Sequence, residues 1–126
     1  MVDDAKLLIE KLAVDRRVIQ VGYGFPKYRV YLRPNAFFDL TEKKKNGGYM
    51  YRAMFGIIPK NQETVEDLER EMKKLFKGME VRESEKFYKK MIEVELETPK
   101  EEEIKAFYET VRNFLARADS LLNSRY

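Results

Sequence analysis

The chain contains no cysteine and no histidine. The first absence excludes disulfides, thiolate catalysis and cysteine-ligated zinc. The second removes the usual general base near neutral pH and the commonest metal ligand. Ser-His-Asp and Cys-His mechanisms are therefore excluded, and any metal would have to be held by carboxylate oxygens, which suit magnesium, calcium or manganese. Long apolar runs are also missing: the longest, Ala53 to Pro59, falls far short of a membrane span. The opening Met1-Val2-Asp3-Asp4 has neither the basic segment nor the apolar stretch of a secretory signal. The expectation is a soluble cytoplasmic protein with no membrane partner and no cofactor.

What is present fits one domain over residues 1–126, since 126 residues at 44% hydrophobic content can bury a real core. Charged residues make up 37% of the chain, mostly Glu and Lys, a balance typical of hyperthermophile proteins. The net charge of +3 hides an uneven distribution. Residues 16 to 60 hold ten Lys or Arg, only two acids (Asp39 and Glu42) and nine of the sixteen aromatics. That segment is therefore +8 and the remainder −5. Cations attract phosphates and aromatic rings can stack on bases, so this segment is the lead to function.

Hydrophobic periodicity predicts a first helix from Asp3 or Asp4 to about Asp15, with Ala5, Leu8, Ile9 and Leu12 on one face. Alternation predicts strands over Arg17 to Tyr23 and Lys27 to Arg33, the second ended by Pro34. Residues 35 to 48 fit either a strand turning at Lys43 to Gly48 or a short helix capped by Asn35; the hairpin is preferred. A buried strand is expected over Tyr49 to Ile58. Thr64 opens a second helix, with Val65, Leu68, Met72, Leu75, Phe76 and Met79 as its apolar stripe and Gly78 just past its end. Met79 to Ser84 and Phe87 to Glu97 read as a hairpin, with Ile92, Val94 and Leu96 inward and Glu93, Glu95 and Glu97 outward. Thr98-Pro99-Lys100-Glu101 carries the cap, first-turn proline and capping-box glutamate of a last helix. That helix places Ile104, Phe107, Tyr108, Val111, Leu115, Ala118 and Leu122 at helical spacing. The order helix–hairpin–proline occurs twice, over residues 3 to 34 and 64 to 99, a possible αββ pseudo-repeat. The expected fold is α+β, a mainly antiparallel sheet of five to six strands with three helices.

Two features carry the candidate chemistry. Lys27, Arg29, Tyr31 and Arg33 should project from one side of a strand, because side chains alternate with period two. Such a face supplies cations for phosphates and a ring for a base; equally, it could be a solvated face paired with the acidic Glu93-Glu95-Glu97 face. The second feature is the loop Lys43-Lys44-Lys45-Asn46-Gly47-Gly48, which could follow a phosphate backbone or simply be a hairpin tip kept soluble by lysine. Arg52 would enlarge the same patch if its face agrees.

Gly22-Tyr23-Gly24-Phe25, with Tyr28, partly resembles the RNP1 stretch of RNA-recognition-motif domains. Val21 replaces the leading cation and Pro26 replaces a valine; the family's βαββαβ order also differs, and the segment is read as a turn. If residues 35 to 48 are not a strand, the first 78 residues follow the α-β-β-β-α order of double-stranded-RNA-binding domains. The leading expectation is a non-enzymatic DNA- or RNA-binding protein using Lys27, Arg29, Tyr31, Arg33, Lys43, Lys44, Lys45 and Arg52. The alternatives are a protein-interaction or structural module forming a homodimer through residues 115–122, and a carboxylate-metal nuclease built on Asp39 and Glu42, the latter opening a Glu-x-Lys spacing with Lys44.

Overall fold

The computed structural model describes residues 18–21, 27–45, 48–58, 62–86, 88–97 and 99–125. The helix expected over residues 3 to 15 and the turn at 22–26, with most of the RNP1-like stretch, lie outside these. The elements run β1 (Val18–Val21), β2 (Lys27–Arg33), β3 (Ala36–Lys45), β4 (Gly48–Ile57), α1 (Gln62–Leu75), β5 (Arg82–Lys86), β6 (Lys89–Glu97) and α2 (Glu101–Arg125). The strands form one antiparallel sheet in the order β1-β2-β3-β4-β6-β5. The fold is α+β, with two helices among the described residues.

Residues 36 to 45 are strand, and the next strand opens at Gly48. Four strands therefore precede α1, which removes the α-β-β-β-α order of double-stranded-RNA-binding domains. Nor is the order that of an RNA-recognition motif. The β1–β2 and β5–β6 hairpins flank the central β3–β4 hairpin, each with its second strand innermost. The edge strand β5 is short and exposed, and its sequence Arg-Glu-Ser-Glu-Lys is nearly all charge, which disfavours pairing with another chain.

Strand alternation sorts the sheet into two faces. The rows Val30↔Phe38↔Phe55↔Ile92 and Leu40↔Ala53↔Val94 face the helices and form the core with them. From α1 come Val65, Leu68 and Met72, joined by Phe76 just past its end; from α2 come Ile104, Phe107, Val111, Phe114, Leu115, Ala118 and Leu122. Phe114, between Val111 and Ala118 on the same stripe, is the centre of an aromatic cluster. Its ring lies 6.3 Å from Phe38, 6.0 Å from Phe55 and 6.2 Å from Phe76. Edge-on and tilted pairs at such spacing add to burial.

Helix boundaries differ from the sequence expectation by about a turn or less. Helix α1 starts at Gln62, two residues before Thr64, which is buried in the first turn. Gly78 takes the left-handed φ of 80° that ends the segment, as its position predicted. At α2 the capping box is shifted. The Glu103 carboxylate accepts from the Lys100 backbone N–H at 3.1 Å, and the Ile104 N–H donates to the Lys100 carbonyl at 3.1 Å. Lys100, not Thr98, is thus the cap position, with Glu103 in the reciprocal role. Helix α2 has 25 residues, about 37 Å at 1.5 Å per residue. Its last two turns do not project: Leu115, Ala118 and Leu122 are buried in the chain's own core. Among the described residues, no helix is long and apolar enough to cross a membrane.

Phe114→Ala should lower the unfolding free energy by about 3–5 kcal/mol, because the three rings around it cannot collapse into the space it leaves. A urea titration followed by far-UV circular dichroism checks this.

Candidate nucleic-acid interface

The sheet face away from the helices carries the rows Arg29↔Asp39↔Met54↔Glu93↔Arg82 and Thr41↔Arg52↔Glu95. Opposite charges thus meet across neighbouring strands. Arg29 donates from Nε to Asp39 Oδ1 at 2.7 Å and from Nη2 to Oδ2 at 2.9 Å, a bidentate pair. Asp39 is 0% exposed. A buried carboxylate needs a partner with fixed geometry, and the planar guanidinium supplies two parallel donors. The Asp39 hydrogen bond, outweighing partial desolvation, raises the Arg29 guanidinium above its already high ordinary pKa.

Phe37 lies beside this pair. Its cross-strand partner is Gly56, where a Cβ would meet three Phe37 ring carbons at 2.8 Å or less, so the ring rests on bare backbone. The Arg29 guanidinium sits 4.1 Å and the Lys89 ammonium 5.3 Å from the Phe37 ring centroid. Tyr31 is 6.1 Å from Phe37 and stays 42% exposed.

Arg52 belongs to a second cluster. It donates from Nη2 to Glu95 Oε1 at 2.7 Å and contacts Glu93 Oε2 at 3.1 Å; Arg82 Nη2 reaches the same Glu95 oxygen at 2.7 Å. Burial pushes the Glu95 carboxyl upward, but hydrogen bonds from Arg52 and Arg82 outweigh it and leave the pKa below the usual value. Glu95 likewise raises Arg82. The acidic strand β6 thus neutralises Arg52 and Arg82. It does not reach β2, from which β3 and β4 separate it.

Arg33 does not share the face of Arg29 and Tyr31. The register between β2 and β3 shifts between Tyr31 and Arg33, and this bulge turns Arg33 toward the helices. There its Nη1 contacts Asp119 Oδ1 of α2 at 3.2 Å and donates to the Leu32 carbonyl at 2.5 Å, while Nη2 donates to Asn123. The side chain clamps the end of α2 to the sheet. Lys27 lies on β2 opposite Thr41, but its side chain lies outside the described residues, as do those of Lys44 and Lys45. Lys43 is exposed near the end of β3.

Asp39 and Glu42 fall on opposite faces of β3: Glu42 pairs with Tyr51 on the helix side and is buried there. They cannot close on one metal ion, so the nuclease arrangement fails. A groove of about 220 Å³ beside the second cluster is lined by Glu80, Arg82, Glu95 and Glu97. Among the described residues, no group of three or more carboxylates is placed to hold a metal.

The β3–β4 hairpin provides the arrangement left over for polyanions. Strand β2 pairs with β3 only from Ala36 to Thr41, and β6 pairs with β4 only from Met50 to Ile57. The hairpin continues through Lys44↔Tyr49 to Lys45↔Gly48. Among the described pairings, β3 runs four residues past β2 and β4 two residues past β6, about 14 Å and about 7 Å at 3.4 Å per residue. This overhang carries Lys43, Lys44 and Lys45, and Tyr49 there is 44% exposed. No family model, curated protein or solved structure matches the chain.

Arg29→Ala should destabilise by about 3–5 kcal/mol by leaving Asp39 buried without its cation, and Arg29→Lys should recover only part of this because one ammonium cannot replace the fork. Gly56→Ala should cost about 1–3 kcal/mol, and the loss should shrink in a Phe37→Leu background. Denaturant midpoints measure all four.

Lowering of the Glu95 pKa on folding makes its contribution full above about pH 4.3 and lost as the pH falls through the lower folded value. Glu95→Gln should therefore lower stability by about 1 kcal/mol at pH 7 and by progressively less as the pH falls below about 4.3, read from unfolding curves across pH.

Proposed function

We propose that this chain binds nucleic acid through the phosphate backbone, with the projecting end of the β3–β4 hairpin as its principal contact. The observation that supports this is the overhang itself: a two-stranded ribbon carrying three consecutive lysines at one end of the sheet. A ribbon of this width fits a major groove or lies along a single strand. The affinity expected of such contacts is modest, about 10⁻⁴ to 10⁻⁶ M at physiological salt, and independent of sequence.

This reading differs from the composition-based one in its residues. Arg29 and Arg52 act in holding the sheet and Arg33 in holding α2, so Lys43, Lys44 and Lys45 carry the phosphate contacts. Self-association through residues 115–122 gains no support, since Leu115, Ala118 and Leu122 lie inside the core.

Labelled single- and double-stranded DNA and RNA titrated at several salt concentrations test the proposal. The triple variant Lys43→Ala/Lys44→Ala/Lys45→Ala should weaken binding at low salt and reduce the slope of log K against log salt by about 2–3 on duplex. Arg52→Ala should leave that slope unchanged. Absence of binding to all four nucleic acids at low salt, or an unchanged slope in the triple variant, overturns it.

A further inference from the structure

The opposite end of the sheet breaks three local rules at one place. Strands β5 and β6 are joined by two residues, 87 and 88. Such tight connections favour Gly or Asn where φ is positive, yet Tyr88 has a φ of 63°. Its side chain is 89% exposed, so no packing offsets the left-handed backbone. The strands close on Lys86 opposite Lys89, a like-charge cross-strand pair, and Lys90 follows. Departures of this kind, gathered at one exposed tip, point to a binding role and not to folding.

The tip is continuous with the aromatic cluster of the outer face. Lys89 reaches Phe37, which touches Tyr31, and Arg29 lies 4.1 Å from the Phe37 ring centroid and 6.0 Å from that of Tyr31. Two exposed tyrosines thus flank this path: Tyr31 touches Phe37, which Lys89 reaches, and Tyr88 sits in the turn just before Lys89. Phe37, resting on Gly56, lies tilted against Tyr31 and leaves that ring 42% exposed, open to a base. Stacking is tolerant of sequence and contributes about 1–3 kcal/mol per base in single-stranded complexes.

We propose that Tyr88 and Tyr31, with Lys86 and Lys89, form a second contact that stacks unpaired bases, giving this protein a preference for single-stranded nucleic acid. The inference rests on the nucleic-acid reading above but uses different residues at the other end of the sheet. The two ends are about 30 Å apart along β4, at 3.4 Å per residue from Gly48 to Ile57.

The chain has no tryptophan, so Tyr88→Trp introduces a single reporter. An oligothymidylate of about 20 nucleotides should quench its emission, whereas a duplex of the same length should leave it nearly unchanged. Tyr88→Asn should raise the Tm by about 2–4 °C through relief of the backbone, while weakening single-strand binding by about fivefold or more. If anisotropy shows the oligonucleotide bound while the emission stays constant, or if Tyr88→Asn binds as tightly as the wild type, this inference falls and the hairpin reading stands. Quenching that persists with an unaltered salt slope in the lysine triple variant keeps this inference and removes the hairpin. A response to phosphatidylserine vesicles but not to the oligonucleotide assigns the tip to lipid and overturns it. No binding to any nucleic acid removes both.

Discussion

A carboxylate buried on the sheet face away from the helices, Asp39, sets the terms for the rest of that face. Its burial requires a partner with two well-aligned donors, and Arg29 on the adjacent strand is placed to supply them. Arg29 then lies over Phe37, whose ring rests on Gly56 of β4. One ion pair and one ring contact thus tie three consecutive strands together on the side where no described helix packs. The opposite side is held by aromatic packing around Phe114. The two sides depend on each other through the alternation of β3, where Phe38 and Leu40 enter the core while Phe37 and Asp39 face away.

The same alternation explains why a segment of charge +8 does not become a face of charge +8. Antiparallel pairing sets each strand against others distant in sequence, and the partners here have opposite charge. Arg29 meets Asp39, Arg52 meets Glu93 and Glu95, and Arg33 meets Asp119 across the layer. Lysines gather instead at the two ends of the described sheet. These are the β3–β4 overhang with Lys43 to Lys45 and the β5–β6 tip with Lys86 and Lys89. The proposed function draws on that separation: cations in the middle of the sheet hold the fold, and the lysines at its ends are the ones proposed to meet nucleic acid.

Much of the architecture was legible because it rests on local periodicity. The alternation over Lys27 to Arg33, the stripes of both helices and the stop at Gly78 are properties of neighbouring residues. Residues 35 to 48 gave the hairpin only a narrow preference because Ala36 to Thr41 suits a strand or a short helix, and pairing with β2 and β4 selects the strand. The site was less legible for the same reason. No local signal shows the bulge that turns Arg33 to the helices, or that β3 and β4 stand between the basic strand and the acidic one. The capping box moved because Lys100-Glu103 competes with Thr98-Glu101 at equal spacing. Tyr88 was missed because the β5–β6 turn was placed upstream of it, and its left-handed backbone has no signature in a residue of that type.

The central claim is that the cations in the middle of the outer face serve the fold. A double-mutant cycle of Arg29→Ala and Asp39→Ala, measured by denaturant unfolding, tests it most directly. A coupling energy of about 2–3 kcal/mol is the predicted result, with the salt dependence of nucleic-acid binding unchanged in the double variant. Coupling near zero, together with lost nucleic-acid binding in Arg29→Ala, would contradict the account and return Arg29 to the binding surface.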